Sequence, residues 1–384
     1  MEEVATARLR GRGGAWFPAA RKWAAARAAF HAEGRVLVAN GGEDEPGSAK
    51  DRVLLEHYPD LVVEGAALAA LAVEAAEIVF YVNHRYEDAL LALRKSLGRA
   101  EAAGVFDDFG VRVVEAPSEY VAGEETAALE VLEGRPAVPR VRPPFPSEQG
   151  YRGRPTVVNN IETLANVPGI VFHGPSWFRA VGTAEAPGTM LFSLEGDIPR
   201  PGVYELPLGT PLRAVLVDYG GAAADLSDVG AVRAGGASSP YLTRRQCFDL
   251  TLDPEALRPY GTLGAGVLRV LAPDRCMVSE LIDLAAFFAA ESCGACPPCR
   301  METTSFHGLL QQVAAGKARP DVLERIEELF DFAADKGRCG FIRMPQVPFR
   351  SAIKGFADDF AAHLAGRPCP NGMVRVDGGL HGHG

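Results

Sequence analysis

The chain has 384 residues, 47% hydrophobic and 23% charged, with a formal net charge of −10. That length and balance predict two or three globular domains with a sizeable core. The acidic excess argues against a nucleic-acid or anionic-membrane surface. The longest apolar stretches, Leu61 to Val73 and Met277 to Ala290, contain glutamate or aspartate. Neither spans a bilayer, so any membrane association runs through a partner. The chain starts without a basic and apolar leader, which points to the cytoplasm.

Residues 1 to 175 alternate between helix and strand. Arg35 to Asn40, Glu77 to Val82 and Val111 to Val114 read as strands, and Leu61 to Ala76 and Tyr86 to Ala103 as helices. This pattern makes an α/β layer with a mostly parallel sheet, whose ligands belong in the loops at the strand ends. From Arg135 to Pro155 the chain turns proline-rich and basic, as an extended loop or an exposed linker. Residues 186 to 260 read as a small β-rich unit of the β-grasp kind. Met190 to Leu194 and Gly202 to Leu206 are its strands, and Pro211 to Tyr219 its helix. Residues 275 to 365 turn helical, with apolar spacing over 277–290, 301–315, 320–334 and 346–364, which predicts a four-helix bundle. Residues 366 to 384 read as a mobile tail whose His381 and His383 dangle.

Three of the seven cysteines, Cys293, Cys296 and Cys299, are spaced by two residues, and Cys339 follows forty positions later. In the predicted bundle the triplet falls between the first and second helices and Cys339 between the third and fourth, so both turns meet at one end. Three clustered thiolates plus a remote one is a ligand set for a 4Fe–4S cubane. The nearest rival, a four-cysteine zinc site, usually uses two separated Cys-x-x-Cys pairs. Disulfides do not suit a reducing compartment. Cys247, Cys276 and Cys369 stand alone and read as small buried or incidental thiols.

Four loops of the α/β region carry polar and glycine-rich signals. Gly11 to Pro18 packs three glycines into four positions before a helical run with Arg21 and Lys22, which suits a phosphate or is a plain turn. Asn40 to Gly47 offers carboxylates for sugar or ribityl hydroxyls, or is a solvated acidic turn. Tyr120 to Thr126 sets an aromatic and two acids beside a glycine, or begins a helix with favourable charge. Asn159 to Thr163 offers amides to a heterocycle edge, or caps a helix. Together, upstream of a cluster motif, they suggest a flavin nucleotide.

With these motifs in this order, residues 8 to 365 resemble the NADH-binding flavoprotein subunit of respiratory complex I and its relatives in NAD-reducing hydrogenases and NAD-dependent formate dehydrogenases. The resemblance implies a Rossmann-like FMN domain, a ubiquitin-like β-grasp domain of the soluble-ligand-binding (SLBB) type, and a helical bundle with one 4Fe–4S cluster. It assigns FMN to Gly11, Arg12, Gly13, Lys22, Asn40, Glu43, Tyr120, Gly123, Glu124, Asn159, Asn160 and Thr163. It assigns NAD(H) to Gly14, Phe17, Glu45, Glu125 and Phe145, with the aromatics on adenine, and the cluster to Cys293, Cys296, Cys299 and Cys339. It further implies hydride exchange between NAD(H) and FMN, then one-electron transfer through the cluster, with no side chain acting as nucleophile. The implied partners are a thioredoxin-like 2Fe–2S subunit and a larger iron–sulfur or molybdenum subunit, in a hetero-oligomer.

The chain departs from the family pattern at several positions. Trp16 stands for glycine, Gly42 for aspartate, Ala25 for an adenine-side aromatic, Arg142 for lysine and Ala122 for cysteine, and the family's N-terminal extension is absent. Trp16 and Ala25 leave open a donor other than NAD, such as a deazaflavin or a ferredoxin. Gly42 and Ala122 leave open a flavin-free relay or scaffold.

Overall fold

A computed structural model describes residues 1–367 and Cys369. The expected turn at Asn371-Gly372 and the histidines of the tail lie outside the described residues. The chain divides into two compact units, the first comprising residues 1–44, 48–192 and 205–209, the second residues 45–47, 193–204 and everything from 210 onward. No helix among the described residues is long and apolar enough to cross a membrane.

In the first unit four strands form one sheet: β1 (Arg35–Gly41), β2 (Ala75–Asn83), β3 (Gly110–Ala116) and β4 (Thr156–Asn160), in the order β3-β2-β1-β4. All pairings are parallel. Successive side chains of β1, β2 and β4 point to opposite faces. Leu37, Ala39, Ile78, Phe80 and Val157 enter one core, and Val36, Val38, Val79, Tyr81 and Val158 another. Burial on both faces explains why β1 and β2 read as continuous apolar runs. β4 escaped the sequence reading because it has five residues, begins with threonine and ends in two asparagines.

Helix Pro59–Val73 starts with proline at its first turn and stops at Glu74 in a left-handed conformation. Its Gly65 faces the helix Ile161–Ala165 so closely that an added Cβ would lie 2.0 Å from the Leu164 carbonyl oxygen. That approach sets the short helix carrying Thr163 directly behind β4. The segment 135–155 is not an exposed linker. Arg140 donates to Glu130 at 2.5 Å, Glu133 at 2.8 Å and the Gly150 carbonyl at 2.9 Å, and a short helix forms at Pro146–Gln149.

A second sheet has five strands: β5 (Thr189–Gly196), β6 (Gly202–Pro207), β7 (Ala231–Ala234), β8 (Tyr241–Thr243) and β9 (Val267–Leu271). Their order is β6-β5-β9-β7-β8, with β5 and β9 parallel and β7 antiparallel to both neighbours. Sequence pattern found β5 and β6 but not the other three, which are three to five residues long. The central strand β9 lies past residue 260.

The helical region has helices Met277–Glu291, Pro297–Ala314, Val322–Ala333, Gln346–Gly355 and Ala357–Leu364. The expected last helix is broken at Phe356, next to Gly355, where the backbone leaves the helical region. Phe306, Phe330 and Phe349, one from each of three helices, meet edge to face at 5.2–5.5 Å. Each ring is fully buried, so this triad fastens the three helices together.

Candidate functional site

The sheet order reverses at β1, from which β2 and β3 extend one way and β4 the other. Such a point opens a crevice at the carboxyl ends of the strands. β1 ends in the loop with Asn40 and Glu43, and β4 ends at Asn159 and Asn160.

All four loops converge here. The Arg12 amide donates to the Thr163 hydroxyl at 2.8 Å, joining the first loop to the fourth. Lys22 donates to Glu125 at 2.8 Å and to the Val158 carbonyl at 3.1 Å, joining the helix Ala19–Ala28 to the third loop and to β4. Asn40 donates to the Gly123 carbonyl at 2.9 Å, and Asn160 reaches back to the Asn40 carbonyl at 3.4 Å. Trp23 donates to the Asn159 side chain at 2.6 Å.

Several of the expected contact residues already have work inside the protein. Arg12 is 1% exposed, and its guanidinium donates to the carbonyls of Arg10, Pro187 and Thr189. Burial pulls its pKa down to about 10. Only its backbone is placed to meet a ligand. Glu43 is buried, accepts from Ser48 and from the amides of Asp51 and Arg52, and so caps the helix Lys50–His57. Burial and the nearby Asp51 push its carboxyl up. Glu124 caps the helix Glu125–Leu132 by accepting from the amides of Thr126 and Ala127, the helix-start alternative for that loop. Tyr120 and Gly123 form the 3-10 turn before it.

The departures from the family pattern have local causes. At Gly42 a Cβ would lie 2.8 Å from the Tyr81 ring, and the Tyr81 hydroxyl bonds the Ala122 carbonyl at 3.2 Å. The tyrosine takes the room that an aspartate would need. Trp16 adopts φ 55°, yet its indole is buried, with the Arg12 guanidinium 5.3 Å over its ring. It packs into the unit and does not project from the loop. Arg142 bonds Glu125 at 2.9 Å, and Ala25 is exposed.

The residues assigned to NAD(H) are less gathered. Phe17 and Phe145 are 47% and 50% exposed, Gly14 lies in the turn beside Trp16, and Glu45 accepts the Ala237 amide at 2.6 Å within the second unit. Sequence pattern missed Lys50, Asp51 and Glu162, a buried charge cluster touching Asn160. Lys50 lies 2.7 Å from Asp51, 3.0 Å from the Asn160 side-chain oxygen and 3.4 Å from Glu162. Burial pushes Glu162 up to about 7. At the start of a helix these residues look like ordinary surface charge, so no signal marked them.

Gly123 tests the joint between the second and third loops. Its added Cβ would lie 2.7 Å from the Gly42 carbonyl, which is backbone and has little room to yield. Gly123→Ala is expected to cost about 1–3 kcal/mol in urea unfolding and to weaken flavin retention.

Glu125 supplies a pH test. Burial alone would raise its pKa, but Lys22 and Arg142 outweigh that and hold it below the usual carboxylate range. Its contribution is therefore present above the ordinary glutamate value, about 4.3, and is lost as pH falls through the lower folded value. Glu125→Gln is expected to lose about 1–3 kcal/mol at pH 7. The gap from the parent in unfolding free energy should close under acid.

In the second unit the double proline Pro297-Pro298 starts the helix earlier than the apolar spacing indicates. Cys299 therefore sits in its first turn, not in the preceding loop, and Cys296 is its N-cap. Cys293 precedes it on an exposed turn. Cys339 begins the 3-10 turn Gly340–Arg343, whose Phe341 packs edge to face on Phe288 at 5.8 Å. That contact brings the fourth cysteine to the triplet. The Arg338 amide donates to the Cys296 sulfur at 3.4 Å. Burial pushes the Cys299 thiol up to about 11; Ser292 opposes the rise, and Glu302, Cys339 and Cys296 are near enough to add to it. Glu302 is fully buried, with both carboxylate oxygens lacking a hydrogen-bond partner, and burial lifts it to about 8.

Four cysteines, three of them clustered, are an all-sulfur set that suits a polynuclear cluster, whereas a four-cysteine zinc site usually pairs two separated Cys-x-x-Cys motifs.

Residues 4–169 match the family described as Nuo51 FMN-binding domain, and residues 280–363 match the NADH-ubiquinone oxidoreductase-F iron-sulfur binding region. The chain is 35% identical over 379 residues to the NADH-quinone oxidoreductase F 2 subunit of Rhizobium meliloti (strain 1021), covering 96% of this chain and 90% of that one. It is 35% identical over 371 residues to the NADP-reducing hydrogenase subunit HndC of Solidesulfovibrio fructosivorans, covering 94% and 75%. The NADH-quinone oxidoreductase F subunit of Escherichia coli (strain K12) is 36% identical over 374 residues, covering 95% and 84%. Among solved structures, a chain of the NAD+-reducing [NiFe]-hydrogenase in the H2-reduced state superposes with a TM-score of 0.88 at 37% identity. That match covers 96% of this chain and spans 63% of the hydrogenase chain. With loops gathered at the sheet's reversal point, four cysteines at the ends of helices, and likeness along nearly its full length, the chain belongs to the family of NADH-quinone oxidoreductase F subunits.

Proposed function

We propose that this chain is the electron-input or electron-output flavoprotein subunit of a multi-subunit oxidoreductase of the NADH dehydrogenase type. The observation that carries this reading is the convergence of four polar loops where the parallel sheet reverses its order. Bound there, FMN would supply hydride exchange with NAD(H) and the 4Fe–4S cluster one-electron transfer, so the chemistry would belong to the cofactors.

The protein's part is to bind, orient and insulate. The backbone of Gly11 to Gly13 and the Lys22 ammonium would meet the flavin phosphate, in a loop that runs into the helix Ala19–Ala28. Asn40, Asn159 and Asn160 would present amides toward the ring and ribityl chain, with Thr163 and Glu43 holding the loops in register. Glu124 and Glu125 shape this site through a helix cap and an ion pair and carry no proton in the reaction. Gly14, Phe17, Glu45, Glu125 and Phe145 remain the proposed dinucleotide contacts. Cys293, Cys296, Cys299 and Cys339 would ligate the cluster.

Two finer assignments have support in the topology. The first sheet's order, 3-2-1-4 and parallel, is that of a Rossmann-like half. The second sheet runs second, first, fifth, third, fourth in chain order, with parallel central strands, which suits a ubiquitin-like β-grasp of the SLBB type. Helices after residue 276 supply the proposed cluster-binding bundle. We further propose a cytoplasmic hetero-oligomer with a thioredoxin-like 2Fe–2S subunit and a larger iron–sulfur or molybdenum subunit.

Mixing the FMN- and cluster-loaded protein anaerobically with NADH is expected to bleach the flavin absorption. Bleaching by neither NADH nor NADPH, with flavin bound, would transfer the site to another donor such as a deazaflavin or a ferredoxin. Failure to hold FMN after reconstitution would leave the relay or scaffold role.

A further inference from the structure

Helix Met277–Glu291 begins at Cys276, a buried N-cap residue. Helix Ala357–Leu364 packs against it. Asp359 and His363 lie four residues apart and so share one face of that second helix. The Asp359 carboxylate accepts the Met277 amide at 2.9 Å, which docks the helix on the N-terminus of the first. One turn further on, the His363 Nε2 lies 3.3 Å from the Cys276 sulfur. Cys369 follows six residues later. Its sulfur, the Cys276 sulfur and a ring nitrogen of His363 all lie within 4.8 Å of one another. Two of the three cysteines that stand alone in the sequence are therefore neighbours in space, joined by a histidine that sequence pattern did not single out.

We propose that Cys276, His363 and Cys369 bind one zinc ion, with water in the fourth position. Two thiolates and an imidazole form a borderline-soft set suited to this metal. Tetrahedral bonds of their usual lengths place sulfur and nitrogen about 3.6 Å apart, near the observed 3.3 Å. The contrast with the other cysteines is chemical. Cys293, Cys296, Cys299 and Cys339 are all sulfur, as suits a polynuclear cluster, whereas this set is mixed and lies within 4.8 Å, as a single ion requires. Binding releases the two thiol protons, takes up the imidazole in its neutral form and involves no electron transfer.

The ion's role is mechanical. It would fasten residues 363–369 to the start of helix Met277–Glu291, the helix that leads at its other end to Cys293. Fifteen residues at ~1.5 Å each separate the helix ends by about 22 Å. The metal would thus brace the cluster's supporting helix from its far end and take no part in electron relay.

Metal analysis of full-length, cluster-loaded protein isolated anaerobically tests this. One zinc per chain is expected beside the cluster iron. Cys369→Ser and His363→Gln should each lose the zinc while iron content and cluster absorption stay unchanged. Cys369 is only half-buried near the end of the described chain, so its replacement leaves the helical core intact; circular dichroism checks this. Cells grown on Co2+ should yield a thiolate-to-cobalt absorption band that is absent from Cys369→Ser. Substoichiometric zinc in the parent protein, zinc retained in both variants, or a Cys276–Cys369 disulfide in the anaerobic preparation would each overturn the proposal. None of these results bears on whether NADH reduces the flavin.

Discussion

Cys339→Ser is expected to abolish electron delivery to a partner acceptor while leaving NADH able to reduce the flavin. The residue opens the 3-10 turn that Phe341 anchors on Phe288, so the turn keeps its place when the thiol is removed. What is lost is one of the four proposed ligands. Disturbing even an outer-shell partner costs a metal site about 10–100-fold, and losing a direct ligand should exceed that. Iron content should fall well below the parent's four atoms per chain. Electron transfer to an iron–sulfur acceptor should drop by more than ~100-fold. Anaerobic flavin bleaching by NADH should persist, because the residues proposed to hold the flavin belong to loops of the first unit. Full iron and an unchanged cluster spectrum in Cys339→Ser would remove this cysteine from the ligand set.

Lys50→Met is expected to be the most damaging change to stability in the first unit. Lys50 is 2% exposed and faces Asp51, Asn160 and Glu162. Burial alone would lower its pKa, but Asp51, Glu162 and Glu43 outweigh that and keep it charged. Its removal leaves Asp51, Glu162 and Glu43 without the cation they share. Breaking a buried pair from one side typically costs about 3–5 kcal/mol, and the methionine restores packing but not charge. Urea unfolding reads the loss directly. Lys50→Met combined with Glu162→Gln should recover part of it, since one of the stranded charges is then neutral. Flavin retention should fall with it, because Lys50 also fixes the Asn160 side chain, which bridges to Asp51 and to β1. A loss below about 1 kcal/mol would mean that the cluster is solvated and does not hold the loops together.

The local signals in the chain were strong wherever a short segment carries its own meaning. The Cys-x-x-Cys-x-x-Cys run needs no partner to be recognised, because the spacing is the chemistry. β1 and β2 announced themselves as unbroken apolar runs because both faces of a parallel sheet are covered. The long alanine- and leucine-rich helices showed their period over many residues. By contrast β4, β7, β8 and β9 have only three to five residues each, too few for alternation to rise above chance. They become strands because neighbours supply their hydrogen bonds.

From the order of its residues alone this protein declared a cluster motif, an α/β layer and four loops suited to a nucleotide. Only the tertiary structure decided what each loop residue does. It turned Arg12 inward, made caps of Glu43 and Glu124, filled the space beside Gly42 with Tyr81, and buried Lys50 among carboxylates. It also paired Cys276 with Cys369 across some ninety residues. The reason is physical: spacing along the chain encodes contacts within a turn or two of helix. Which distant side chains share a desolvated pocket, and so which charges and thiols must find one another, is set by how the elements pack.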